Sequence, residues 1–210
     1  MPNWNSSPPF EIIASPAIIY LAPALTAAPS MSAVPVVVPT APWVLLGTSG
    51  ELNYAEDGVV IAMPQEIVKW KSLGDTGSRK AFRVGEDVTV RVKVVDLTLE
   101  QLQYALNDNA ITAVSTVGGP GTAGSSKIGL SRGPGVSSYA LVVRFPSPYD
   151  IDLWAQLWLP IAINEGATEF MFKKGDPAGL QLDFSAMVNA AAVSDDERFG
   201  FVEAQTVAGT

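Results

Sequence analysis

Few residues in this 210-residue chain could carry chemistry, because it contains no histidine and no cysteine. Disulfides, the usual zinc sites, thiol nucleophiles and histidine general bases are all removed at once. Carboxylates, lysines, serines and tyrosines remain. Asp150 and Asp152 could supply one member of a glycosidase pair, in which two carboxylates flank the scissile bond. Nothing in the sequence brings a partner near them. Asp195, Asp196 and Glu197 could offer oxygens to a metal ion, but they lack the alternation of a calcium loop and suit a solvated acidic turn. Gly119-Pro-Gly-Thr-Ala-Gly124 invites a phosphate-loop reading and fails it at the next position, where Ser125 stands instead of the required lysine. Trp154 and Trp158 share a face if they lie on a strand, which suits a sugar-stacking platform, a core or an interface. No catalytic, cofactor or metal-binding residue is predicted.

Composition bounds the remaining classes. Hydrophobic residues make up 48% of the chain, so it can build a sizeable core. A formal net charge of −8 argues against a general nucleic-acid-binding surface, which needs an excess of lysine and arginine. From Ile12 to Gly50 there is no charged residue. Pro16, Pro23, Pro29, Pro35, Pro39 and Pro42 break that stretch too often for a membrane-spanning helix, which needs about 20 uninterrupted residues. It reads as an extended, proline-rich arm over residues 1–42, with short strands at Ala17–Leu21 and Val34–Val38. So apolar an arm is expected to lie on its own subunit or on a neighbour.

The elements that would position any site centre on Gly85–Asn107. Val88, Val90, Val92 and Val94 alternate with Thr89, Arg91 and Lys93, the repeat of a half-buried strand. After Asp96 the period lengthens: Leu99, Leu102 and Leu106 mark one face of a short helix, about Leu99–Asn107. Thr98 and Gln101 have the spacing of a capping box. Val59–Lys71 and Ala81–Val95 read as two arms of a long hairpin around a mobile tip, Ser72-Leu73-Gly74-Asp75-Thr76-Gly77-Ser78-Arg79-Lys80. Further strands are expected at Trp43–Leu46, Ile111–Val117, Tyr139–Phe145, Leu153–Ile163 (bulged or ended at Pro160), Thr168–Lys173 and Leu180–Val188, the last of the series. Gly118–Gly135 is a glycine-rich loop with a possible ordered piece at Lys127–Leu130, and 201–210 is a tail, frayed or docked only locally. About eight strands and one helix make a mainly β domain over 43–200, a sandwich or barrel with one flanking helix. Arg91 and Lys93, opposite the valines, form either a solvated face or one that meets a neighbouring subunit.

The order of features resembles the tail tube proteins (major tail proteins) of long-tailed bacteriophages. Four places carry the resemblance: Ile18-Ile-Tyr-Leu-Ala-Pro23; Trp43-Val-Leu-Leu-Gly-Thr48 followed by Asn53-Tyr-Ala-Glu-Asp-Gly-Val59; the long hairpin running into Val95-Asp-Leu-Thr-Leu-Glu-Gln-Leu-Gln-Tyr-Ala-Leu106; and Phe172-Lys-Lys-Gly-Asp-Pro-Ala178 before a strand ending Asp183-Phe-Ser-Ala186. The resemblance implies a non-enzymatic virion protein, without cofactor, assembled in the host bacterial cytoplasm. Its partners would be further copies of itself, in stacked and commonly hexameric rings, and other tail proteins at the tube ends. DNA would pass through the lumen without specific binding, which net negative charge favours. Ser72–Lys80 would be the ring-stacking loop, and Arg91 and Lys93 would face a neighbouring subunit. A capsid decoration or tail-terminator subunit, and a carbohydrate-binding β-sandwich using Trp154 and Trp158, are the competing readings.

Overall fold

The computed structural model describes residues 12–33, 37–114, 123–175 and 177–206. The fold is mainly β, with one α-helix and antiparallel sheets, in a sandwich- or barrel-like arrangement. The main sheet has eight strands. In path order they are β2 (Val44–Leu45), β1 (Ile18–Pro23), β9 (Ser138–Pro146), β10 (Trp154–Asn164), β11 (Leu180–Ala186), β6 (Thr89–Val94) and β3 (Tyr54–Ala62). The eighth, β12 (Phe201–Ala204), pairs with β10. Two small hairpins stand apart: β4 (Gln65–Trp70) with β5 (Lys80–Glu86), and β7 (Ile111–Val114) with β8 (Ser125–Ile128).

Alternation decides which face is buried. Ile19, Leu21, Leu141, Val143, Leu157, Leu159, Val90, Val92, Leu182 and Phe184 all belong to one buried cluster, so one face of the sheet curls around a single core. The register shift between Leu159 and Ala162 lets β10 serve two neighbours on one edge. Before the shift it pairs with β12 and after it with β11. Pro160 has no N–H to give the ladder, so the bulge belongs there and the sheet can turn its corner there.

The helix α1 (Leu99–Ala105) begins where the capping signal puts it. Thr98 Oγ1 accepts a hydrogen bond from the Gln101 N–H at 3.4 Å. The reciprocal half of the box is absent. Gln101 is buried, and its Oε1 instead accepts from the Gly47 N–H at 3.0 Å. That draws Gln101, Ala105 and Leu106 inward, while Leu99 and Leu102 are only half-buried. The buried stripe is thus rotated from the expected leucine face. The helix also stops short of Asn107, because Asn107 and Asp108 take left-handed φ values of 60° and 62°.

Other differences have local causes. Thr168–Lys173 forms no strand: only Lys173 makes a bridge, and among the described residues no ladder extends from it. β11 is not the last strand: residues from Phe201 add β12 to the sheet, with Phe201 opposite Trp158. β3 begins at Tyr54, ahead of the expected arm at Val59, and its register shifts between Tyr54 and Val59. The ordered piece near Lys127 is β8, displaced from Lys127–Leu130 to Ser125–Ile128. Of the strand expected at Val34–Val38, residues 34–36 lie outside the described residues, as do 115–117 of Ile111–Val117 and 118–122 of the glycine-rich loop. The tail's last four residues, 207–210, and Asp176 also lie outside them.

The uncharged stretch is anchored at both ends. Ile18–Pro23 is a strand between β2 and β9, and the residues that follow connect β1 to β2. Trp158 Nε1 donates to the Thr26 carbonyl at 3.1 Å, Gln156 Nε2 to Pro29 at 2.8 Å and Arg144 Nη1 to Val37 at 2.7 Å. Gln205 Nε2 donates to the carbonyls of Met31 and Ala33. A proline-rich segment is short of N–H donors but keeps its carbonyls, so side-chain donors on the sheet are what can hold it. The described residues of the segment are thus held on their own subunit.

Candidate assembly surface

The β4–β5 hairpin is an outward continuation of β3–β6. Pro64 separates β3 from β4 and cannot donate to a ladder. On the other arm Asp87 marks the same break. Its N–H reaches the Pro64 carbonyl at 3.1 Å, and its carboxylate accepts from the Ser185 hydroxyl at 3.2 Å. Beyond this point every residue of β4, and all of β5 except Gly85, is exposed. Trp70 pairs with Lys80 and Val68 with Phe82, so alternation places these four on one face. Val68, Trp70 and Phe82 are each about half exposed, at 49%, 54% and 47%. Lys80 Nζ lies 4.9 Å from the centre of the Phe82 ring.

Of the predicted stacking residues Ser72–Lys80, 72–79 form the tip and Lys80 opens β5 opposite Trp70. The Asp75 N–H closes a turn on the Ser72 carbonyl at 3.2 Å, and the Gly77 N–H donates to Asp75 Oδ1 at 3.1 Å. Arg79 pairs with Asp75 at 3.2 Å, and its N–H returns to the Trp70 carbonyl at 2.9 Å. Leu73 is fully exposed. The tip is a shaped turn presenting one apolar side chain.

Arg91 and Lys93 are not at the tip. They lie at the root of the same hairpin, on the outer face of β6. Arg91 Nε pairs with Asp183 Oδ1 at 2.8 Å, directly across the β6–β11 ladder. An exposed pair of this kind contributes only about 0–1 kcal/mol. Lys93 is half-buried along Gly179, where an added Cβ would stand 2.3 Å from Lys93 Cε. Both side chains are therefore already engaged within the subunit.

The other candidates separate in space. Trp158 is covered by Thr26 and by Phe201, whose ring centre is 5.0 Å away. Trp154 lines a small cavity with Ile18, Tyr20, Val38 and Arg144. The two do not form an open stacking platform. Asp150 and Asp152 fall in the turn before β10, and Asp195–Glu197 form an exposed 3-10 turn. Among the described residues no three acidic side chains converge as a metal site, and no helix is long and apolar enough to cross a membrane.

Two features escaped the sequence reading. The apolar face of β4–β5 was legible as alternation, but its exposure was not. A cavity of about 210 Å³, lined in part by Tyr104, Asn107, Arg132, Tyr139 and Asn164, draws residues from distant segments that no local pattern joins. The Tyr139 hydroxyl is buried without a hydrogen-bond partner among the described residues, and burial raises its pKa above the ordinary tyrosine value. Burial also raises Tyr54, whose hydroxyl donates to the Leu46 carbonyl at 2.9 Å and accepts from the Ile19 N–H at 3.2 Å.

No family model matches the chain, and no curated protein matches it. Among solved structures, the chain is similar to one in a cryo-EM structure of the anti-feeding prophage (AFP) baseplate, 6-fold symmetrised. The match covers 95% of this chain and 97% of that one, at 7% identity and a TM-score of 0.45. A likeness this distant assigns neither family nor function.

Proposed function

We propose that this chain is the structural protomer of a phage tail tube, self-assembling into stacked hexameric rings that form a hollow conduit for DNA. The observation that carries it is the free-standing β4–β5 hairpin. A two-stranded ribbon is marginal by itself in water, and this one exposes Val68, Trp70, Phe82 and Leu73 without a partner among the described residues. A neighbouring copy that covers the ribbon accounts for both facts. The four stretches of sequence resemblance agree with this, and the long hairpin is one of them. In this reading the role is structural rather than enzymatic, the protein resides in the virion tail, and it assembles in the host cytoplasm. Other tail proteins meet the tube ends.

Negative-stain electron microscopy of the purified protein, over a range of concentration and salt, tests the proposal. Stacked rings or hollow tubes are expected. Closed rings that never stack would favour a terminator or decoration subunit instead, and monomers at every concentration would count against self-assembly altogether.

A further inference from the structure

Glu169–Lys173 has the composition of a strand, yet among the described residues it carries only an isolated bridge at Lys173 and joins no ladder. Its approach is fixed: the Glu165 N–H donates to the Asp183 carbonyl at 2.9 Å, and Arg132 Nη2 donates to Thr168 Oγ1 at 2.7 Å. Beyond Thr168 the chain exposes Phe170, Met171 and Phe172 at 41%, 73% and 81%. Large apolar residues this exposed and contiguous mark a contact surface. Lys173 and Lys174 follow, both exposed.

Among the described residues the main sheet meanwhile ends in a strand with one unpaired edge. β3 is the last strand of the path and nine residues long. It carries exposed Glu56 and Asp57, and exposed Val60 and Ile61 beyond them. The opposite end of the path, β2, has only two residues, and β12 has four. The β4–β5 hairpin has long edges but carries Lys69, Lys80 and Arg83 against Glu66 and Glu86, the wrong balance for a segment ending in two lysines. Edge length and charge together select β3.

We infer that Phe170–Lys174 of one copy docks along the β3 edge of a second copy, with Lys173 and Lys174 meeting Glu56 and Asp57. The contact joins two different surfaces, so it propagates head to tail and closes into a ring when the rotation allows. Main-chain pairing would satisfy the open edge of β3, and the two phenylalanines, on one side of an extended segment, would be covered together. The inference rests on the reading of the chain as a self-assembling subunit and adds which surfaces meet.

The absence of cysteine makes the test clean. Phe172→Cys and Val60→Cys are prepared as separate single variants and treated with a short bis-maleimide, alone and mixed. Cross-linked dimer from the mixture, with little from either variant alone, is the expected result. In parallel, Phe170→Ser/Phe172→Ser should weaken association by about thirtyfold, the loss typical of an interface anchor, with the monomer's melting unchanged. If the unmodified chain assembles by electron microscopy but the mixture gives no dimer, or each variant cross-links as well alone, this interface is wrong and the tube reading stands. If the unmodified chain never assembles, both fail.

Discussion

In the inner half of the long hairpin, Val90, Val92 and Val94 are buried and β3 and β6 belong to an eight-stranded sheet. In the outer half, beyond Pro64 and Asp87, Val68, Trp70 and Phe82 alternate in the same way and face solvent. Both halves contain β-branched and aromatic residues in a two-residue repeat. Propensity therefore makes both halves strands, and only the presence of a second layer makes one of them core. The valines of the inner half join the buried cluster that Ile19, Leu141, Leu157 and Leu159 of other strands of the curled sheet complete; among the described residues the outer half has no such cover. An extended pair that keeps an apolar face without an internal partner is suited to contacts outside its own chain.

Removing a core side chain should break the inner half and leave the outer half irrelevant to stability. Phe184 is fully buried opposite Val90. Phe184→Ala should cost about 3–5 kcal/mol, through lost burial and the cavity left behind, in urea denaturation. A loss below about 1 kcal/mol would mean that the core does not close around β11.

Tyr54 tests how the edge of the inner half is tied down. Its hydroxyl links the Leu46 carbonyl to the Ile19 N–H, joining β3 to β1 across the core. Tyr54→Phe should cost about 1–3 kcal/mol, because both backbone partners lose their bond. Its pKa is raised mainly by burial, so the folded protein holds this proton more tightly than the unfolded chain. The stability it contributes is complete below about pH 10 and lost as pH rises beyond that, since the unfolded chain ionises first. Tyr20, Tyr104 and Tyr139 are raised too, also chiefly by burial, so the loss should be shared. Thermal melts from pH 8 to pH 11 should therefore fall at the alkaline end, and less steeply in Tyr54→Phe. Equal slopes in the two proteins would place the alkaline transition on the other tyrosines.

Much of this architecture was legible because short-range chemistry decides it. The valines of β6, the Thr98 cap and the bulge at Pro160 each follow from neighbours within a few positions. What was not legible depends on distant partners. Gln101 turns inward because Gly47, 54 positions away, offers an N–H. Phe201–Ala204 becomes a strand because β10 offers it an edge, whereas Thr168–Lys173, with better strand composition, gains only a bridge at Lys173 among the described residues. For the candidate surface, the Ser72–Lys80 tip was visible as a polar, glycine-containing break between two alternating runs. The engagement of Arg91 was not, since Asp183 meets it only through the β6–β11 register.

The smallest expected effect on folding belongs to the tip, and there the two halves of the hairpin can be separated most sharply. Deleting Leu73–Arg79 removes an exposed turn and the Asp75–Arg79 pair, whose side chains are 39% and 64% exposed. Such a pair contributes at most about 1 kcal/mol, so the variant should melt close to the parent and keep its circular dichroism spectrum. Assembly should nonetheless fail, because the proposed stacking contact is gone while the β3 edge and Phe170–Lys174 remain. Single rings without tubes, seen by electron microscopy, would assign stacking to the tip and ring closure to the sheet. Tubes of ordinary length would remove the tip from the stacking contact and leave the exposed face of Val68, Trp70 and Phe82 as the part of the hairpin to change next.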